Sequence, residues 1–293
     1  EAVINIKTIP HLDNIKEDKE GLKIGALTKL IDIMQSPAVK RNYGVLAEAA
    51  ESVGTPEIRH MGTIGGNLCQ DSRCWYYRYP HQIGGRVLCY RKGKGPCHAI
   101  KGDNRYHAIM GGKVCFAVCP SDIAVVLTAL DAKIRIVTPG GERIIPISDF
   151  YDTLGHTLKP DEIVTQIRVP QYPHPAVQGF LKFRLRASVD FAIVSVASVI
   201  FVADGICKDA RIVLGAVAPA PYRAAAAEDA IKGKRLDAAT AEAAAEATVN
   251  DAKPLSKNAY KIEITKTLVK RAILSEQMVV PSNKKITEQI DSD

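Results

Sequence analysis

Six of the seven cysteines of this 293-residue chain fall between positions 69 and 119. Four of them, Cys74, Cys89, Cys97 and Cys115, are spread through a basic, aromatic segment that begins just after the glycine loop Gly62-Thr63-Ile64-Gly65-Gly66-Asn67. Thiolates are soft ligands that hold iron–sulfur clusters or zinc. Glycine-rich turns let backbone N–H groups converge on a phosphate, because glycine adopts unusual φ values and carries no side chain. Taken together, the two features point to electron carriers held side by side. An ordinary tight turn is the alternative for the glycines.

Spacing alone leaves the metal open. Cys74-x14-Cys89-x7-Cys97-x17-Cys115 lacks the compact Cys-x2-Cys repeats of ferredoxins, and structural zinc sites favour closely paired ligands. An odd number of cysteines in a chain of this length fits an intracellular metal site better than a disulfide framework. Cys69 and Cys119 are spares, with Cys69 an alternative to Cys74. Cys207, following Gly205-Ile206, reads as a small apolar filler. His98 and His107 read as polar contacts within the loop rather than as ligands.

The elements that must position these groups follow from periodicity. Val3-Ile4-Asn5-Ile6 and Leu22-Lys23-Ile24-Gly25-Ala26 are predicted strands; Thr28 caps a helix to about residue 35, and residues 44–53 form another. Residues 69–118 show little periodicity, and so long a loop needs an anchor, which metal ligation would supply. A helix over 121–130 carries Asp122 near its start. A strand at Lys133-Ile134-Arg135-Ile136-Val137 and a turn at Pro139-Gly140-Gly141 come next.

Pro170-Gln171-Tyr172-Pro173-His174-Pro175 reads as a linker. Beyond it, strands are predicted at 179–185, 191–203 and 210–217, the last two joined at Asp204-Gly205. Helices follow at 224–231, 238–250 and 258–275, the last with an apolar stripe through Ile262, Leu268, Ala272 and Ile273. A polar tail, 279–293, is expected to fray. The division this suggests is a first α/β subdomain over 1–55, a second over 56–170 with the cysteine segment inserted at 69–118, and a C-terminal unit over 175–278. No stretch reaches the ~18 apolar residues of a membrane span, and no signal pattern opens the chain, so a cytoplasmic location is expected. The chain opens in mid-pattern without an initiator Met, from which the loss of a preceding segment is expected.

Glu57-Ile58-Arg59-His60-Met61-Gly62-Thr63-Ile64-Gly65-Gly66-Asn67 closely resembles the second FAD-binding loop of the flavin subunits of molybdenum hydroxylases, the xanthine dehydrogenase and carbon monoxide dehydrogenase family. Pro120-Ser121-Asp122 with its apolar helix resembles the next segment of that family. Lys182 and Asp190 fit its Lys-x7-Asp pattern, and Asn258-Ala259-Tyr260-Lys261 opens a stretch similar to its closing helix. The resemblance covers nearly the whole chain, in the right order. It implies an α+β, PCMH-type FAD-binding fold followed by a C-terminal domain of antiparallel sheet and helices. It also implies an oxidoreductase subunit that contacts FAD through Thr63, Ile64, Gly65, Gly66, Asn67, Ser121, Asp122, Val164, Lys182 and Asp190. An earlier Ala-Gly-Gly-Thr loop typical of the family is absent from these 293 residues.

The cysteine segment resembles the insertion in the β subunit of 4-hydroxybenzoyl-CoA reductase, through Asn67-Leu68-Cys69-Gln70-Asp71-Ser72-Arg73-Cys74 at one end and Cys115-Phe116-Ala117-Val118 at the other. That resemblance implies a [4Fe-4S] cluster on Cys74, Cys89, Cys97 and Cys115, a molybdopterin-containing large subunit, a small [2Fe-2S] subunit and a ferredoxin as electron donor. Substrate chemistry would lie on the large subunit. Between Cys69 and Cys115 there are nine Lys or Arg and two acids, an excess equal to the whole formal net charge of +7. A thiolate-held cluster is a net negative object, which Arg73, Arg78, Arg86, Arg91, Lys92 and Lys94 can balance; what remains exposed can steer an acidic carrier. Trp75, Tyr76, Tyr77 and Tyr79 are then shields against water, an account preferred to base stacking and nucleic-acid binding. The alternatives are the flavin subunit of another aromatic or heterocycle hydroxylase, and a non-catalytic assembly protein whose cysteines hold zinc.

Overall fold

The computed structural model describes residues 4–79, 87–172 and 176–274. Val3, Arg86, Pro173-His174-Pro175 of the expected linker, Ser275 and the tail 279–293 lie outside the described residues. The fold is α+β, with two antiparallel sheets that share an interior helix between them.

A hairpin of β1 (Ile15–Asp18) and β2 (Gly21–Gly25) opens the first half. Gly21 has φ +125°, and a Cβ there would sit 2.1 Å from the Val169 carbonyl oxygen, so the turn admits only glycine. Helices α1 (Leu30–Gln35), α2 (Pro37–Asn42), α3 (Gly44–Ser52), α4 (Pro56–Met61) and α5 (Ile64–Leu68) follow. Among its described residues, the cysteine segment contributes the single turn α6 (Trp75–Arg78) and a 3-10 turn at Tyr90–Lys92. Then come α7 (Asp122–Ala129), β3 (Lys133–Thr138), β4 (Gly141–Pro146), a small hairpin of β5 (Tyr151–Asp152) and β6 (Gly155–His156), and β7 (Ile163–Pro170).

The sheet order is β1-β2-β7-β3-β4. Pairing of β2 with β7 runs from Gly21↔Pro170 to Gly25↔Gln166. Strands β1 and β2, from the expected first subdomain, therefore share one sheet with β3, β4 and β7 of the expected second. The reason is burial: four of the five residues of β2 are buried, and a strand covered to that degree needs a neighbour on each side. The strand expected at 3–6 is also replaced, by a 3-10 turn at Ile6–Thr8 whose start is capped by the Asn5 side chain.

The second half holds β8 (Val177–Phe183), β9 (Val194–Ala203), β10 (Ile206–Gly215) and β11 (Tyr222–Arg223), in the order β11-β10-β9-β8. Asp204 and Gly205, at φ 56° and 73°, make the β9–β10 turn. Helices α8 (Ala225–Ile231), α9 (Ala238–Thr248) and α10 (Tyr260–Leu274) complete the chain. β9 reads as an almost unbroken apolar run because both of its faces are covered. Ala197 and Val199 join the core around α7, and Val194, Val196 and Ile200 join the core under α8–α10. The buried stripe of α10 is Lys261, Thr265, Leu268, Val269, Ala272 and Ile273, turned slightly from the stripe expected through Ile262. No helix among the described residues is long and apolar enough to cross a membrane.

Candidate functional site

The glycine loop takes a form different from the expected nest. Thr63 caps α5, its Oγ1 accepting from Gly66 N at 3.1 Å, and none of Gly62, Gly65 and Gly66 has a positive φ. The amides are committed within the chain: Ile64 N to Thr28 O, Gly65 N to Ala26 O and Asn67 N to Thr63 O. Close approach is what requires glycine here, since a Cβ on Gly65 would lie 2.7 Å from Ala26 O. Ile64 and Gly65 are buried, Gly66 is exposed and Thr63 half-buried. Asn67 turns its Oδ1 toward Ser121, whose hydroxyl donates to it at 2.6 Å while capping α7 through Ala124 N at 3.0 Å. Val164 sits on β7 as a core residue opposite Ile136.

Past this capped helix, a cavity of about 550 Å³ lies where the two halves meet. Its walls include Ser121, Asp122 and Asp190 together with Arg73, Cys74, Trp75, His107, Phe191 and Ser195. Thr63, Ile64, Gly65, Gly66 and Val164 are not among its lining residues. Lys182 reaches the cavity through a buried ion pair, its Nζ 2.6 Å from Asp122 Oδ2 and 3.1 Å from Ser52 O. Burial pushes the Asp122 carboxyl up, against the pull of that ammonium. On the rim, Arg186 grips both oxygens of Asp190 and holds its carboxyl below the usual range. Volume and lining are those of a small-molecule site, apolar with a few polar groups. Two buried polar atoms in the wall, Ser195 Oγ and His107 Nδ1, have no hydrogen-bond partner among the described residues. These residues fit FAD.

A second, smaller cavity adjoins the first. Cys74, Cys89, Cys97 and Cys115 all line it, with Tyr76, Tyr77, Arg91 and His98 among the other walls. Cys89 and Cys115 are buried, Cys74 and Cys97 half-buried, and no disulfide joins any of the seven cysteines. Among the described residues no three His, Cys, Asp or Glu groups converge tightly enough to hold a single metal ion. A mononuclear zinc site needs four sulfurs at ~2.3 Å from one point. Four thiols around one cavity are the donor type and number that an iron–sulfur cluster takes.

Cys69 packs against the first core and Cys119 lines the larger cavity; neither lines the thiol cavity. Burial pushes the Cys69 thiol up to about 11 and that of Cys119 to about 12. Burial also raises Cys74, but there the backbone N–H groups of Tyr77 and Tyr76 pull the other way. Cys207 is fully buried in the second core.

Several of the basic side chains are engaged nearby. Arg91 donates to Leu154 O and Asp71 and stacks over Tyr77, Arg78 donates to Ser72 O at 2.7 Å, and Lys92 donates to Val87 O at 2.9 Å. Lys94, Lys101, Arg105 and Lys113 are exposed. His98 contacts Leu88 O at 2.8 Å.

The loop is fastened to α10 and the residues before it. Asn104 donates to Ser256 Oγ at 3.1 Å and accepts from Lys257 N at 2.9 Å; Asn258 Nδ2 donates to the carbonyls of His107 and Ala108. Lys261, fully buried, donates to His107 O at 3.1 Å and Ala216 O at 2.6 Å, and burial lowers its ammonium to about 7. Sequence reasoning missed Lys261 and Ser195. A lysine on the apolar face of a helix was the available signal for the first; nothing marks the second, one serine in an apolar strand.

Residues 1–77 and 101–172 match the FAD binding domain in molybdopterin dehydrogenase, and residues 180–275 match the CO dehydrogenase flavoprotein C-terminal domain. The aldehyde oxidoreductase FAD-binding subunit PaoB of Escherichia coli (strain K12) is 35% identical over 264 residues, 87% of this chain and 78% of the relative. The carbon monoxide dehydrogenase medium chain of Hydrogenophaga pseudoflava is 26% identical over 93% of this chain and 80% of the relative. A solved structure of carbon monoxide dehydrogenase from that organism, lacking the Mo-pyranopterin moiety, aligns with a TM-score of 0.72 at 26% identity, covering 93% of this chain and 80% of the other. The chain belongs to the FAD-binding subunits of the molybdenum hydroxylase family. It is an FAD-binding oxidoreductase subunit with the PCMH-type fold and C-terminal domain of that family. Residues 78–100, which carry Cys89 and Cys97, fall between the two matched stretches of the FAD domain.

Proposed function

We propose that this chain carries a [4Fe-4S] cluster beside its FAD and serves as the electron-transfer subunit of a molybdenum hydroxylase-type complex. The observation that carries the reading is the convergence of Cys74, Cys89, Cys97 and Cys115, scattered over some forty residues, on one cavity next to the flavin-sized one. When bound, FAD exchanges electrons in pairs or singly, and the cluster passes them one at a time.

The chain's own residues bind and orient. Ser121 and Asn67 fix the start of α7 against the glycine loop, and the Lys182–Asp122 pair presents a charged, hydrogen-bonded wall to the cofactor. Thr63, Ile64, Gly65, Gly66 and Val164 do not line the cavity and would serve the cofactor by holding the loop and sheet beside it. Asp190 closes the opposite rim. Trp75, Tyr76 and Tyr77 keep water from the thiolates, and Arg73, Arg91 and Lys92 offset their charge.

The partners that go with this reading are a molybdopterin-containing large subunit and a small [2Fe-2S] subunit, in a reducing compartment such as the cytoplasm, where thiols stay free to ligate. A ferredoxin is the external carrier, drawn to the exposed Lys94, Lys101, Arg105 and Lys113. For the reaction of the complex, the cysteine insertion favours reductive dehydroxylation like that of 4-hydroxybenzoyl-CoA reductase. A second reading, aldehyde oxidation, is favoured by the 35% identity to the aldehyde oxidoreductase subunit. Turnover of the purified complex with 4-hydroxybenzoyl-CoA plus reduced ferredoxin, set against oxidation of aromatic aldehydes, separates the two. Metal analysis tests the cluster itself: iron with acid-labile sulfide is the expected outcome, and zinc without iron in an FAD-loaded preparation would overturn it.

A further inference from the structure

His107 stands where the two cavities meet. Cys74 lines both of them, and His107 lines the larger one with its Nε2 3.3 Å from the Cys74 sulfur. The ring has little room to turn. Trp75 meets it edge-on, with centroids 5.4 Å apart, and Tyr76 lies tilted against it at 6.1 Å. Its backbone is held from three directions: His107 N donates to Asn104 O at 2.9 Å, and His107 O accepts from Lys261 Nζ and Asn258 Nδ2, each at 3.1 Å. This is more anchoring than a loop residue with only a packing role requires.

We propose that His107 is a positioning residue that donates its Nε2–H to the Cys74 thiolate and so sets the reduction potential of the cluster at the side facing the flavin. The inference rests on the cluster reading above. A hydrogen bond to a ligating sulfur stabilises the more electron-rich, reduced cluster and moves its potential upward. Burial strengthens that effect, because a partly dry site screens the bond poorly. The backbone N–H groups of Tyr76 and Tyr77 also point at Cys74, but any residue at those positions would supply them. Among the described residues His107 is the side-chain donor at this sulfur, and the one a substitution can remove. No bond is made or broken in this role; the imidazole holds one proton at one atom.

The test is an EPR-monitored redox titration of the purified complex, with iron and sulfide measured on the same samples. His107→Leu should retain the cluster yet be about tenfold harder to reduce at a given potential, a shift of about 59 mV downward for one electron. His107→Gln, whose amide can donate in place of the imidazole, should recover most of that shift. An unchanged potential in His107→Leu, or equal shifts in the two variants, would overturn the inference while leaving the cluster in place. Absence of iron and sulfide from the wild-type complex would overturn the cluster reading and this inference together. Should His107→Leu fail to assemble a cluster, the wild-type protein carries the test. With 15N-labelled histidine, pulsed EPR should detect one imidazole nitrogen coupled to the reduced cluster, and no such coupling would overturn the assignment.

Discussion

The two cavities are neighbours, yet they are built by opposite means. The larger borrows one wall from the cysteine segment, through Arg73, Cys74, Trp75 and His107, but its other walls, the start of α7, the loop between β8 and β9 and Ser195 of β9, are backed by the two hydrophobic cores. The thiol cavity is walled by a segment whose described residues hold one helical turn and one 3-10 turn. Its shape depends on long-range hydrogen bonds, such as Asp103 N to the Tyr76 hydroxyl at 2.6 Å and Asn258 to the carbonyls of His107 and Ala108. The lesson is one of dependence. A flavin site can be prebuilt by packing, whereas a cluster site in a loop is completed by its own ligation.

That contrast can be broken most sharply at the thiols. Cys89→Ser or Cys97→Ser is expected to abolish the cluster's EPR signal while FAD stays bound at the wild-type ratio; flavin lost in parallel would mean that the two sites are one. The mirror experiment is Lys182→Met, which leaves Asp122 buried without its counter-charge. Loss of one partner of a buried pair costs about 3–5 kcal/mol. Urea unfolding should therefore show a marked loss of stability, with FAD depleted and iron retained relative to protein.

A smaller effect is expected at the seam between loop and helix. Asn258→Ala removes the donor to two buried carbonyls and should cost about 1–3 kcal/mol, with iron content falling more than flavin content. The last effect is in pH, and it is small for each unit. Lys261 titrates near 10.5 in an unfolded chain and is lowered to about 7 by burial. Between those values the unfolded chain holds a proton that the folded chain has released, so stability should rise with pH across that window, by at most about 1.4 kcal/mol per unit. Lys261→Met should flatten the slope in urea unfolding series, and an identical slope would show that the lysine stays charged when buried.

The same division governed what could be read from sequence. The helix predicted over 121–130 is Asp122–Ala129, and the strands and helices of the C-terminal half lie within a few residues of their expected positions, because each carries a clear apolar period. Pairing of β2 with β7 was hidden, since register between segments some 140 residues apart leaves no local mark. The glycine loop misled in a specific way. Gly62, Gly65 and Gly66 suggested unusual φ values, while the structure uses Gly65 for its closeness to Ala26 in a short capped helix. In the cysteine segment the residue types were legible and the contacts were not. Nothing local says that Asn104 will meet Ser256, or that His107 will stand beside Cys74.

Anomalous scattering from crystals of the complex, collected on both sides of the iron edge, addresses the central claim most directly. One compact iron density enclosed by the sulfurs of Cys74, Cys89, Cys97 and Cys115, alongside the flavin density, is the expected result. A single-ion peak with a zinc edge, or four thiols with no iron between them, would contradict it.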